Sequence, residues 1–166
     1  MRDMMPDDVG GLPYAEHELV YYDGFRRRVL VTQREEPFPE GKLIVSRTDP
    51  TGVITHANQS FVDMSGYSAE ELIGEQHYIL RHPDMPKAGF KDLWDTITQG
   101  RKWHGYVKNL RKDGAFYWVY ATVVPNVRDG KIVGYTSVRR KPSRRKVQEA
   151  AALYARLLAE ERGSVT

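Results

Sequence analysis

The spacing of apolar and polar positions divides the chain into stretches of different period. Residues 43–49 and 53–57 are short β-favouring runs, and between them Asp49, Pro50, Thr51 and Gly52 supply turn chemistry at almost every position. A hairpin is predicted there. Residues 58–65 and 68–73 then have helical character, each stopped by a glycine, Gly66 or Gly74. Residues 86–99 predict a longer helix, with Pro86 in its first turn, Phe90, Leu93, Trp94 and Ile97 on one stripe, and Gly100 as the stop. After Gly100 the period becomes two. Three aromatic and β-branched runs are joined by Asp113-Gly114 and Asp129-Gly130, both strong hairpin signals. Two strands, several short helices, one longer helix and three strands within about 100 residues imply an α+β fold with a five-stranded antiparallel sheet rather than a parallel α/β sheet.

The flanks read differently. Residues 1–42 hold four of the nine prolines together with Gly10, Gly11, Gly24 and Gly41, which predicts a loop-rich arm or cap, with a short helix at 14–22 and a strand at 29–32. A final helix is expected at 143–162, with Ser143 as its cap and Val147, Ala150, Tyr154 and Leu157 at a 3-4-3 spacing. Arg144, Arg145 and Lys146 stand at its N-terminal end, and Glu160 and Glu161 at its C-terminal end. Both clusters oppose the helix dipole. An antiparallel neighbour would set the basic end against the acidic end, so a homodimer is expected; the plainer alternative is a helix packed on its own domain. The expected division is an arm at 1–42, a central domain at 43–140 and a helix at 141–166.

Composition narrows the function classes. At 40% hydrophobic and 28% charged residues the chain reads as a globular protein. No run reaches the roughly 18 apolar residues of a membrane span, and the N-terminus has no signal-peptide pattern, so a cytoplasmic location is expected. The absence of cysteine excludes disulfides, thiolate metal sites, CxxCH haem attachment and cysteine-adduct photochemistry. Net charge is only +3, and the basic cluster from Arg139 to Lys146 lacks interleaved aromatics, so it reads as a linker or docking surface rather than a nucleic-acid groove.

The densest chemical cluster is Arg81-His82-Pro83-Asp84-Met85-Pro86, just before the long helix. Free helix N–H groups there would suit an anionic ligand. The plainer account has Asp84 capping the helix, Arg81 pairing with it and His82 at the surface. Trp94, Trp103 and Trp118 are either core residues or walls for an aromatic cofactor. Asn109 lies mid-strand, where an amide either faces solvent or meets something polar. His56, His77, His82 and His104 have no HxH or HxxxH spacing, so no metal is expected. With no GxSxG, Walker loop or cysteine nucleophile, no enzyme is expected either.

Residues 43–140 resemble a PAS domain. TDPTGVITHANQSFVDMSGYSAEELIG is similar to its opening hairpin and first helices, and WHGYVKNLRKDGAFYWVYATVVPNVRDGKIVGYTSVRR to its closing strands. More narrowly, RHPDMP, WHGYVKNLRKDG and YWV resemble the sensory domain of bacterial aerotaxis receptors, which holds FAD non-covalently and reports redox state. The resemblance implies a flavin-binding redox or oxygen sensor in bacterial signal transduction. Arg81, His82 and Asp84 match the flavin-associated RHPD segment, and Trp103 and Asn109 match the tryptophan and asparagine of the W-x-G-x-x-x-N strand; Asn58 and Trp94 are further candidates. The implied partner is a downstream signalling protein or chemoreceptor signalling domain, although the membrane anchor and signalling coiled coil of such receptors have no counterpart in these residues. Two other readings stay open: a cofactor-free PAS dimerisation or protein-interaction module, and a haem-binding gas sensor with His77 or His82 as axial ligand.

Overall fold

Turn chemistry closes every hairpin of the sheet in the computed structural model, which describes residues 1–163. Strands β3 (Ile44–Thr48) and β4 (Ile54–Ala57) are joined by a turn in which the Asp49 carboxylate accepts from the N–H groups of Thr51 (2.8 Å) and Val53 (3.1 Å). Strands β5 (Trp103–Leu110) and β6 (Phe116–Arg128) turn at Asp113-Gly114, with Asp113 accepting from Ala115 N–H. Strand β7 (Lys131–Arg140) follows Asp129-Gly130, both at positive φ (51° and 76°), the conformation a tight two-residue hairpin needs. The five strands run in the order β4-β3-β7-β6-β5, all antiparallel, so the first hairpin docks beside the last strand.

Strict alternation decides what each face carries. From β5, Trp103, Val107 and Asn109 point to the inner face; from β6, Val119, Ala121 and Val123; from β7, Tyr135, Ser137 and Arg139. Over that face lie α1 (Gln59–Ser65), α2 (Ala69–Leu72), a 3₁₀ turn (His77–Leu80) and α3 (Lys87–Ile97). Ser68 and Glu71 form a reciprocal capping box on α2. Phe61, Leu72, Ile79 and Leu80 form the helical side of the main core.

Helix α4 (Arg144–Gly163) packs on the opposite face, where Val147, Ala150 and Tyr154 cover Trp118, Tyr106 and Phe116. Ser143 caps it through Lys146 N–H, as the sequence predicts. Two of its end charges are engaged within the chain: Arg144 makes two 2.8 Å hydrogen bonds to Glu35, and Glu161 accepts from the N–H groups of Lys87 (3.2 Å) and Ala88 (3.0 Å). The plainer expectation, a helix packed on its own domain, describes this arrangement.

The arm differs from expectation. Residues 14–22 do not form a helix: β1 (Ala15–Val20) pairs antiparallel with β2 (Arg26–Val31). Pairing outweighs local propensity because Glu18 and Arg26 (2.7 Å) and Glu16 and Arg28 (3.2 Å) meet diagonally across the hairpin, while Leu19 and Tyr21 join Met4, Val9, Val29 and Leu30 in a second small core against Leu110. Buried Arg27 ties the hairpin to the domain, donating to the Ile79 carbonyl (3.2 Å) and the Tyr67 hydroxyl (3.1 Å).

Candidate functional site

A cavity of about 1050 Å³ lies between the inner sheet face and α3. Leu80, Leu93, Ile97, Val107, Val119 and Val123 supply apolar walls. Its volume is at the top of the usual range for small-molecule sites. The α3 stripe read from sequence therefore faces this space as well as the main core.

Four of the seven predicted site residues line the cavity: Arg81, Trp94, Trp103 and Asn109. The Trp103 indole donates from Nε1 to Asp92 of α3 (2.8 Å), which ties the sheet edge to the helix. It also folds back along its own strand, so that a Cβ at Gly105 would collide with it. Glycine in the W-x-G pattern is thereby explained. Trp94 stands edge-on to Tyr135 at 5.8 Å. Asn109 is 5% exposed, and its backbone bridges that of Arg81. Nearby, the Tyr117 hydroxyl is buried, and burial pushes its pKa up to about 12. The Arg81 guanidinium lies over Phe90 (5.0 Å) with its Nε buried and unpartnered, and burial pulls it below its ordinary value.

The other three lie outside the cavity. His82 is not at the surface but 3% exposed; its Nδ1 accepts from Asp84 N–H (3.0 Å), and burial pulls it down to about 3, so it is neutral. Asp84 neither caps α3 nor pairs with Arg81; its carboxylate takes Lys108 (2.7 Å) at the surface. Pro86 holds the N-cap position, and the free N–H groups expected to greet an anionic ligand receive the Glu161 carboxylate instead. Asn58 caps α1, accepting from Phe61 N–H (3.0 Å) and Val45 N–H (3.0 Å) and donating to the Leu43 carbonyl (2.9 Å). Trp118, weighed with the other tryptophans, is on the outer face under α4.

Sequence reasoning missed the most charged corner of the cavity. Arg139 is 2% exposed, with Nη1 3.0 Å from His77 Nε2 and Nη2 donating to Ser46 Oγ (2.7 Å). Its guanidinium sits 4.5 Å over the Phe61 ring, and its Nε has no partner. None of the ion pairs among the described residues includes it. Burial pulls Arg139 down to about 10, and burial together with the adjacent Arg139 charge pulls His77 down to about 3. At this corner a buried cation is buttressed by a neutral imidazole. Alternation through Tyr135, Ser137 and Arg139 was the available signal, since it puts a cation on the inner face. Among the described residues, no cluster of three His, Asp or Glu side chains is placed to hold a metal, and no helix is long and apolar enough to cross a membrane.

Strand order, helices on the inner face and a ligand-sized cavity beneath them define a PAS domain, and residues 54–139 match the PAS fold family. The chain belongs to that family. Among curated proteins it is 47% identical over 127 residues to the aerotaxis receptor of Escherichia coli (strain K12), a match covering 76% of this chain and 25% of that protein. It is 28% identical over 102 residues to the nitrogen fixation regulatory protein of Klebsiella pneumoniae, covering 61% of this chain and 21% of the other. The chain thus spans a quarter or less of these relatives. Among solved structures, the light-state structure of the blue-light photoreceptor Aureochrome1 LOV superposes with a TM-score of 0.58 at 27% identity, covering 72% of this chain and 91% of that one.

Proposed function

We propose that this chain is a flavin-binding redox sensor of the aerotaxis-receptor type, holding FAD in the cavity and passing its oxidation level to a downstream signalling protein. The observation that carries this reading is the cavity itself: apolar walls wide enough for a fused ring system, with buried polar atoms of Arg81 and Arg139 left unpartnered along it. Such orphaned donors are costly unless a ligand meets them. Likeness to the aerotaxis receptor supports the same reading.

A flavin would supply reversible two-electron reduction coupled to proton uptake. Trp103, Leu93 and Val119 would exclude water from the ring, and Arg139 would face an electron-rich edge of it. Asn109 is suited to report the change, because an amide both donates and accepts and reverses its role by a half-turn. Its strand position bridges the Arg81 backbone, and Arg81 stands just before α3, whose first N–H groups hold Glu161 of α4. The proposed route therefore ends on the C-terminal helix, where a partner would read it.

A haem reading fares worse. His82 is buried away from the cavity with Nδ1 engaged, and Nε2 of His77 is turned into Arg139 and Ser46. Chromatography of ligand released from the purified protein tests the proposal: FAD is expected. Asn109→Ala is expected to keep FAD while losing any redox-dependent change in hydrogen exchange of α4. A colourless protein that takes up no flavin when supplied with it refutes the proposal, and an Asn109→Ala variant with an intact response refutes the role of that amide.

A further inference from the structure

The N-terminal hairpin precedes the PAS region, yet its tip contributes Val20, Tyr21, Tyr22 and Asp23 to the cavity lining. We infer that residues 21–23 form the outer wall of the ligand site and set how fast a bound ligand leaves; the identity of that ligand rests on the flavin reading above. The hairpin is held firmly along its strands, through buried Arg27 and, at the base, through Thr32, whose N–H donates to the Gly114 carbonyl (2.9 Å). Its tip is held by fewer and more exposed contacts. The Tyr22 hydroxyl donates to the Thr51 carbonyl (2.9 Å) and meets the Gln76 side-chain amide at 2.8 Å, bridging two segments of the cavity rim. Tyr78 donates to Asp23 (2.8 Å), and the Tyr21 ring stacks on the Tyr78 ring at 3.9 Å, 11° from parallel. Tyr22 also lies 6.0 Å from Trp94, closing the gap between the 3₁₀ turn and α3.

Two features distinguish this wall from a passive cover. Tyr21 is 3% exposed, and its ring packs into the arm's own small core while stacking on Tyr78, so the inner part of the tip is fixed. Tyr22, by contrast, is 63% exposed, so its two hydrogen bonds compete with water and break without unfolding the core. A site whose inner face is rigid and whose outer face opens locally releases its ligand through the weaker side. Residence time then depends on the tip.

The test uses Tyr22→Phe with Tyr78→Phe, which keep both rings and remove both hydroxyls. FAD release is followed by the recovery of its fluorescence on dilution. In the ligand-free protein, acrylamide quenching of Trp94 and Trp103 is measured, with Trp118 under α4 as the shielded reference. Each lost hydrogen bond is expected to raise the open fraction about fivefold, so the double variant should release FAD at least tenfold faster and show increased quenching. Unchanged release with unchanged quenching overturns the wall while leaving flavin binding intact. Increased quenching in a protein that never takes up FAD supports the wall and sinks the flavin reading instead.

Discussion

Replacing Asn58 by alanine separates a structural role from a ligand-binding one. Its carboxamide joins three segments: the start of α1 through Phe61 N–H, strand β3 through Val45 N–H, and the Leu43 carbonyl. Loss of the helix cap costs about 1 kcal/mol. Val45 N–H is partly buried, so taking away its acceptor adds about 1–2 kcal/mol. The exposed bond to Leu43 adds little. The sum is about 2–3 kcal/mol, which for a chain of this length lowers Tm by roughly 5–10 °C. Asn58→Asp keeps both accepting roles and should recover most of the loss. Because Asn58 does not line the cavity, flavin affinity measured well below Tm should match the wild type. Urea unfolding and a flavin titration on the same preparations decide the matter. A variant that keeps its stability but loses flavin tenfold would refute the reasoning and return Asn58 to the binding site.

Two other substitutions probe the buried charges. Arg139→Met removes a desolvated cation that has no carboxylate partner, so the ligand-free protein should become more stable in urea, while flavin affinity falls by at least tenfold; a destabilised variant with normal affinity would mean the guanidinium serves packing alone. Acid should weaken the fold well above the carboxylate range. Both His77 and His82 are pulled down to about 3, chiefly by burial, so below about pH 6.5 the unfolded chain binds protons that the folded chain does not, and stability falls as pH falls. Each histidine contributes about 1.4 kcal/mol per pH unit, with proton uptake on unfolding approaching two between pH 6 and 5. His82→Phe should remove about one of those protons, and a pH-independent stability across that window would show that the imidazoles are charged in the fold.

The candidate site was legible where periodicity determined facing. Trp103 and Asn109 are six apart in a strand and must share a face, and the α3 stripe had to meet that face. Arg139 obeyed the same rule but was masked by its neighbours: a run of arginines and lysines reads as a solvated surface until the strand is known to continue through it. His82 shows the opposite error. Its motif is contiguous in sequence, yet the chain turns at Pro83, sending Arg81 into the cavity and Asp84 to the surface.

The five-stranded sheet, its turns and the order of helices were set locally, since turn residues, caps and apolar spacing act over two to seven residues and the neighbouring elements agree with them. Three things were decided only in three dimensions. Strand β1 exists because β2 lies opposite it. The acidic end of α4 is satisfied because the start of α3 comes within hydrogen-bonding distance of Glu161. The cavity is roofed by Tyr21 and Tyr22 because a hairpin from the far end of the chain is anchored beside it by Arg27. The physical reason is common to all three: each depends on a partner remote in sequence, and a local pattern carries no information about which surface arrives opposite it.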